Sequence, residues 1–267
     1  MAKRGELRTF GAIRAKAKQY MEAAKKHRGK RKLSSAKFSS CERMPLLDLD
    51  DSIFVIDAVA PPELHLFTGI FNTLYEHFNT AIEDVEETTV TASIWPEAKN
   101  VTPDAQGGQF NGNSVKALLA DIETLESLLL EHLLLDIGQP FVQAFYAFKE
   151  VTDMCFGKDL DPDYDLAIER FMQLYRNIED PDGEYLSVTV KMHILEVHVG
   201  DFFDRQKSLG NGGKGLGHWS EQASESVHHD WLDLWDDCYF KRSINHDDYD
   251  QQLLKCGVKY NSRHMSK

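Results

Sequence analysis

Between Leu64 and Phe78 the residues Leu64, Phe67, Ile70, Phe71, Leu74, Tyr75 and Phe78 recur at intervals of three and four. Only a helix puts such a set on one side. The stripe is wide and rich in aromatic side chains, so the helix must be buried by others packed around it. Three further segments carry the same spacing. Val115, Leu118, Leu119, Ile122, Leu125 and Leu129 predict one long helix capped by Ser114 and running to about Leu135. Gly138-Gln139-Pro140 separates it from a helix with Phe141, Phe145, Phe148, Val151 and Phe156, and Asp161-Pro162 opens another with Leu166, Ile168, Phe171, Leu174 and Tyr175. Pro181-Asp182-Gly183 is a turn, followed by a segment from Ser187 to Gln206 that carries two histidines. A weaker stripe of Phe10, Ile13, Ala17 and Tyr20 lies between Gly5 and Arg28. Ile53-Phe54-Val55-Ile56 alone reads as a strand, ended by Ala60-Pro61-Pro62, with Pro62 placed to start the central helix. Residues 80–113, broken by Pro96, Pro103, Gly107-Gly108 and Asn111-Gly112-Asn113, read as irregular. The expected fold is mainly α: a multi-helix domain with at most one or two short strands and a basic N-terminal arm.

Charge is distributed unevenly. Residues 1–32 hold twelve Lys/Arg and two Glu, a net +10, and the other 235 residues a net −23, which together give −13 for the chain. We therefore read residues 1–43 as a basic arm and serine-rich linker, partly helical or disordered, and 44–267 as one helical domain. The cluster Lys25, Lys26, Arg28, Lys30, Arg31 and Lys32 could touch nucleic-acid phosphates, act as a nuclear-localisation signal, or be a solvated tail. The acidic body excludes a general DNA-binding surface. The four cysteines, Cys41, Cys155, Cys238 and Cys256, form no CxxC pair, which argues against a zinc ribbon or a dense disulfide framework. No apolar run approaches the roughly 20 residues of a membrane span, and the N-terminus lacks the apolar centre of a signal peptide. An intracellular protein without a membrane partner is expected.

Two features bear on chemistry. The first is Ser220, placed to cap a last long helix reaching about Arg242, after a loop with Gly210, Gly212, Gly213, Gly215 and Gly217. In that helix Ala223, Val227, Trp231, Leu234, Trp235 and Cys238 share one face, while Glu221, Glu225 and His228 form a stripe beside it. Carboxylates aimed into a cleft suit two-metal phosphoryl transfer, although acids in a first turn also complement the helix dipole without further purpose. Glu225 and His228 make one ExxH pair, and the di-iron bundles that use this motif need two. The second feature is His193 and His198, separated by four residues as in the histidine half of zinc sites. On a regular helix they point about 140° apart, so shared coordination requires a kink or a helix end near Val197–Gly200. Two ordinary histidines, one near the core and one exposed, are the alternative.

The order His193-x4-His198, glycine-bearing loop, Trp219-Ser220-Glu221 resembles the C-terminal part of DDE transposases related to the V(D)J recombinase catalytic subunit and to CACTA and Chapaev-like transposons. The chain is similar to transposon-encoded proteins of invertebrates over about residues 44–264, through Val55-Ile56-Asp57, Pro61-Pro62-Glu63-Leu64-His65-Leu66, Phe110-Asn111-Gly112-Asn113, Lys191-Met192-His193, the tract from Trp219 to His228, and Tyr260-Asn261-Ser262-Arg263-His264. The resemblance implies that Glu221 is the third acid of the DDE triad, and that His193 and His198 are half of a zinc site whose CxxC lies upstream. It also implies that residues between about 60 and 180 are the helical insertion of an RNase H-like domain. Where related sequences tend to have Pro, Val190 stands here. The two catalytic Asp residues and the CxxC of the family are not matched. Asp48, Asp50, Asp51 and Asp57 cluster within ten residues and cannot stand in for acids on separate strands. The intact family would use Mg²⁺ or Mn²⁺ and Zn²⁺. For this chain the resemblance implies a transposase-derived protein, nuclear and catalytically incomplete, with DNA and a trans-complementing N-terminal half as partners. Alternatives are a nuclear interaction module without DNA chemistry and a stand-alone metal-dependent hydrolase.

Overall fold

The structure, a computed structural model, describes residues 8–27, 33–34, 36–38, 41, 43–45, 49–85, 92–103 and 108–220. By its contacts the chain divides into two compact units, Met1–Trp219 and Ser220–Lys267, with the expected 43/44 boundary inside the first. The fold is mainly α, as expected. Among the described residues there is no strand, only three isolated bridges. Among the described residues no helix is long and apolar enough to cross a membrane.

The central helix is α3 (Glu63–Glu83), followed in the chain by α4 (Ile94–Ala98), α5 (Gly112–Leu119), α6 (Ile122–Glu131), α7 (Leu135–Val151) and α8 (Tyr164–Arg176). Before it come α1 (Phe10–Lys26) and the single turn α2 (Val55–Ala58). After it lie α9 (Val190–His193) and α10 (Val199–Ser208). Helix α3 buries Leu66, Phe67, Ile70, Phe71, Leu74, Phe78 and Ile82, the stripe that the spacing placed inside. Helix α7 packs on α3, α6 and α8 and buries Phe141, Phe145 and Phe148. Phe71 is the centre of an aromatic cluster, with ring centroids 6.2 Å from Trp95, 6.0 Å from Phe110 and 5.4 Å from Phe145.

Four local expectations are corrected. Residues 53–56 are not a strand: Val55–Ala58 forms a helical turn, and Phe54 makes only a bridge to Thr9. A β-branched run needs a ladder to stay extended, and among the described residues the partner here makes three backbone bonds, Phe10 N–H to the Ile53 carbonyl, Gly11 N–H to that of Asp51 and Val55 N–H to that of Arg8. The helix expected from Ser114 to Leu135 is two helices. Asn111 caps the first, accepting from the N–H groups of Asn113 and Ser114, and the chain bends at Asp121, whose carbonyl accepts the Trp95 indole N–H at 3.2 Å. The separator expected at Gly138-Gln139-Pro140 lies inside α7. The break falls earlier, at Leu133, which takes a left-handed φ of 59°. Gly138 serves close packing instead, since a Cβ there would lie 2.4 Å from Leu129 Cδ1. Pro140 removes one helical N–H, a cost offset by the three buried phenylalanines that follow. Finally, α3 runs on to Glu83 and α4 buries Trp95 and Pro96, so residues 80–113 are only partly irregular.

The end of α7 continues as a π turn, Thr152–Phe156. The glycine loop closes against it: Gly215 N–H donates to the Lys158 carbonyl (2.9 Å), Gly217 N–H to that of Gly157 (3.0 Å), and Leu160 N–H to that of Gly213 (2.9 Å).

Candidate functional site

Thr189 starts the segment that carries the histidines; its Oγ1 accepts the N–H of Met192. Four residues of α helix follow, then a π turn over Ile194–His198, then α10. A π turn closes its hydrogen bonds between residues five apart, whereas an α-helix uses four. His193 and His198 are five apart, so the inserted turn brings onto one side two rings that a regular helix would separate. Their centroids lie 5.2 Å apart with the planes at 90°. The expectation of a kink or helix end is thus replaced by a change of helical pitch.

The other side of the turn faces the core, where Met192, Leu195 and Val197 are buried. Glu196 points away from the histidines. Its carboxylate, 6% exposed, takes both Arg176 nitrogens, Nη1 at 2.8 Å and Nη2 at 2.6 Å. Arg176 closes α8.

One turn beyond His198, Asp201 places Oδ2 4.0 Å from His198 Nδ1. That is too long for a hydrogen bond and close enough for electrostatic attraction. The His198 side chain is 48% exposed, and its partial burial and the nearby charge of His193, with a further contribution from Arg8, hold the imidazole below its ordinary range, against the pull of Asp201. Protonation is therefore harder in the folded chain than in the unfolded one. The unfolded chain takes up the proton first as pH falls below the ordinary value of 6.5. The stability that neutral His198 contributes is complete above that value and is lost below it. The thermal midpoint should fall between about pH 7.5 and pH 5.5, and more steeply in the natural chain than in His198→Ala. Parallel curves for the two proteins would contradict this.

The pair borders a cavity of about 650 Å³ walled by Ile13, Val55, Val59, Pro62, Ile194 and Val197. Its outer wall is α2, which is tied to α10 by Asp57 and Arg205: Nε donates to Oδ1 at 2.7 Å and Nη2 to Oδ2 at 2.9 Å. The same guanidinium lies 5.4 Å from the centre of the Phe54 ring.

Two imidazoles on one tetrahedral ion, with metal–nitrogen bonds of 2.0–2.1 Å, place their ring centres roughly 5 Å apart. The observed separation of ring centres, 5.2 Å, matches that figure. Among the described residues no group of three or more His, Cys, Asp or Glu converges on a point. Cys155 is committed elsewhere: it is buried, its thiol donates to the Val151 carbonyl at 3.2 Å, and burial pushes its ionisation well up.

The remaining expected residues divide in two. Lys25 and Lys26 are exposed in the last turn of α1, where positive charge complements the helix dipole. Glu221, Glu225 and His228, the helix expected from Ser220 to Arg242, and Arg28, Lys30, Arg31 and Lys32 lie outside the described residues. Of the acids near residue 50, Asp48 lies outside the described residues and the others have structural work: Asp50 accepts from Ser52, Asp51 pairs with Arg14, and Asp57 with Arg205. Asp201 and the Arg176–Glu196 bridge did not emerge from the sequence. Asp201, three residues after His198, had a helical signal; Arg176 and Glu196 lie 20 residues apart and had none. Compared with protein-family models, with curated proteins and with solved structures, the chain finds no match.

Proposed function

We propose that this chain is a transposase-derived protein in which His193 and His198 form the histidine half of a zinc site, completed by thiolates that another segment or polypeptide supplies. The observation that carries the reading is the 5.2 Å pairing of the two rings on a π turn. π turns are frequent at functional sites, and this one puts both rings on one side. The order of histidine pair, glycine loop and Trp219-Ser220-Glu221 supports the same assignment. Zinc in such a site is structural: it would tie α9 and α10 to the segment bearing the thiolates, with Asp201 orienting the His198 ring. Glu221 is then a single acid, and one carboxylate does not hold the two Mg²⁺ or Mn²⁺ ions of strand transfer. We further place the protein in the nucleus, with Lys25, Lys26, Arg28, Lys30, Arg31 and Lys32 contacting DNA phosphates.

Zinc titration of the full chain tests the site. Alone it should bind Zn²⁺ weakly, and His193→Ala or His198→Ala should remove that binding. A peptide carrying CxxC added in trans should strengthen it at least about tenfold. The purified chain should neither nick nor join DNA with Mg²⁺ or Mn²⁺. Zinc bound equally well by both histidine variants would sink the proposal, and so would unaided cleavage of DNA.

A further inference from the structure

The π turn raises a mechanical question. It contains one residue more than an α-helix would use for the same rise, and such turns are rare because their hydrogen bonding is less favourable. Something outside the turn must fix where the extra residue sits. If it moved a residue in either direction, His193 and His198 would cease to be five apart within one π turn. The apolar neighbours Leu195 and Val197 are buried, but apolar contact is non-directional and does not by itself fix rotation. Glu196 is held differently. It lies three residues after His193 and two before His198, and its carboxylate is gripped by the two-pronged guanidinium of Arg176 at 2.8 and 2.6 Å. A forked pair of this kind fixes orientation as well as distance. Its anchor is sound, because α8 packs along α7 and buries Phe171, Met172 and Tyr175.

We propose that Arg176 and Glu196 are positioning residues for the histidine pair: their bridge pins the middle of the 194–198 π turn and so keeps His193 and His198 on one side, within reach of one divalent ion. The ion is the part that rests on the zinc-site reading; the pinning of the turn stands apart from it. Neither residue touches the ion. Arg176 acts through Glu196, and Glu196 through the backbone on either side of it.

The test compares the full natural chain with Arg176→Met, Arg176→Lys, Glu196→Gln and His198→Ala. Two properties are read, with thermal unfolding recorded for each variant. The first is the nuclear Overhauser contact between the His193 and His198 ring protons, which needs no metal. The second is affinity for Zn²⁺. Arg176→Met and Glu196→Gln should lose the ring contact while remaining folded. Their zinc affinity should drop about tenfold or more, to the level of His198→Ala, the size of effect expected of groups that orient ligands. Arg176→Lys keeps the charge and loses the fork, so it should fall between. If Arg176→Met does not fold, Glu196→Gln and Arg176→Lys decide, since both preserve shape or charge. Ring contact and affinity unchanged in folded Glu196→Gln and Arg176→Lys would overturn the proposal. Loss of the ring contact in proteins whose zinc affinity never depended on His198 would support the pinning role and defeat the zinc site instead.

Discussion

Phe71→Ala should cost about 3–5 kcal/mol of folding stability, the range for deleting a fully buried aromatic ring. Phe71 has no exposed surface, and its ring meets Tyr75, Trp95, Phe110 and Phe145 at centroid distances between 5.4 and 6.3 Å. Those neighbours come from α3, α4, the segment before α5, and α7, so no small movement can fill the void. Edge and tilted ring contacts contribute about 0.5–1.5 kcal/mol per pair beyond buried area. Domains are commonly stable by only about 5–15 kcal/mol, so the variant should be near the limit of folding. Urea unfolding followed by circular dichroism should show a lower midpoint with an unchanged slope. Tyr146→Ala, at a partly exposed position of α7, provides the control and should cost far less than Phe71→Ala. A loss under about 1 kcal/mol for Phe71→Ala would mean that the cluster is not packed as described.

Gly215→Ala should cost about 3 kcal/mol, the upper end of what overpacking does. A Cβ at Gly215 would lie 2.4 Å from the Gly157 carbonyl oxygen and 2.8 Å from that of Asp159. Both obstacles are backbone, and both lie in the 157–160 stretch that is bonded to this loop through Gly157, Lys158 and Leu160, so neither can yield without straining those bonds to Gly213, Gly215 and Gly217. Gly212→Ala, in the same loop, meets nothing nearer than 3.4 Å and should be almost neutral. Equal losses for the two variants would show that chain flexibility, not the closeness of two backbones, explains the glycines. Thermal midpoints of the pair are sufficient to decide.

The helices were legible because burial on a helix leaves a period near 3.6 in the sequence, and α3, α7 and α8 each bury a wide stripe. Breaks and pitch changes left no such trace. The bend at Asp121 depends on an indole 26 residues away, and Gly138 looked like punctuation although it is a contact with Leu129. The strand expected at residues 53–56 failed for want of a partner strand, which no local propensity reports. The histidine pair shows the same limit. Its residues stood out by type and spacing, but a separation of five is unhelpful on a regular helix. What unites the rings is the bridge between Arg176 and Glu196 and the burial of Leu195 and Val197, all properties of the assembled fold. The clasp between Asp57 and Arg205 joins residues 148 apart and is invisible to any local reading.

Residues 194–198 also act as a phase correction. Removing one residue from the stretch between the histidines would return it to ordinary pitch, and because an α-helix covers the same rise with one residue fewer, everything downstream would stay in place. Phe202 and Phe203, now 1% and 4% exposed, would remain on the core, and the histidines, then four apart, would still share one side. The turn thus takes up a spare residue without disturbing either alignment. A lineage that lost it could keep both.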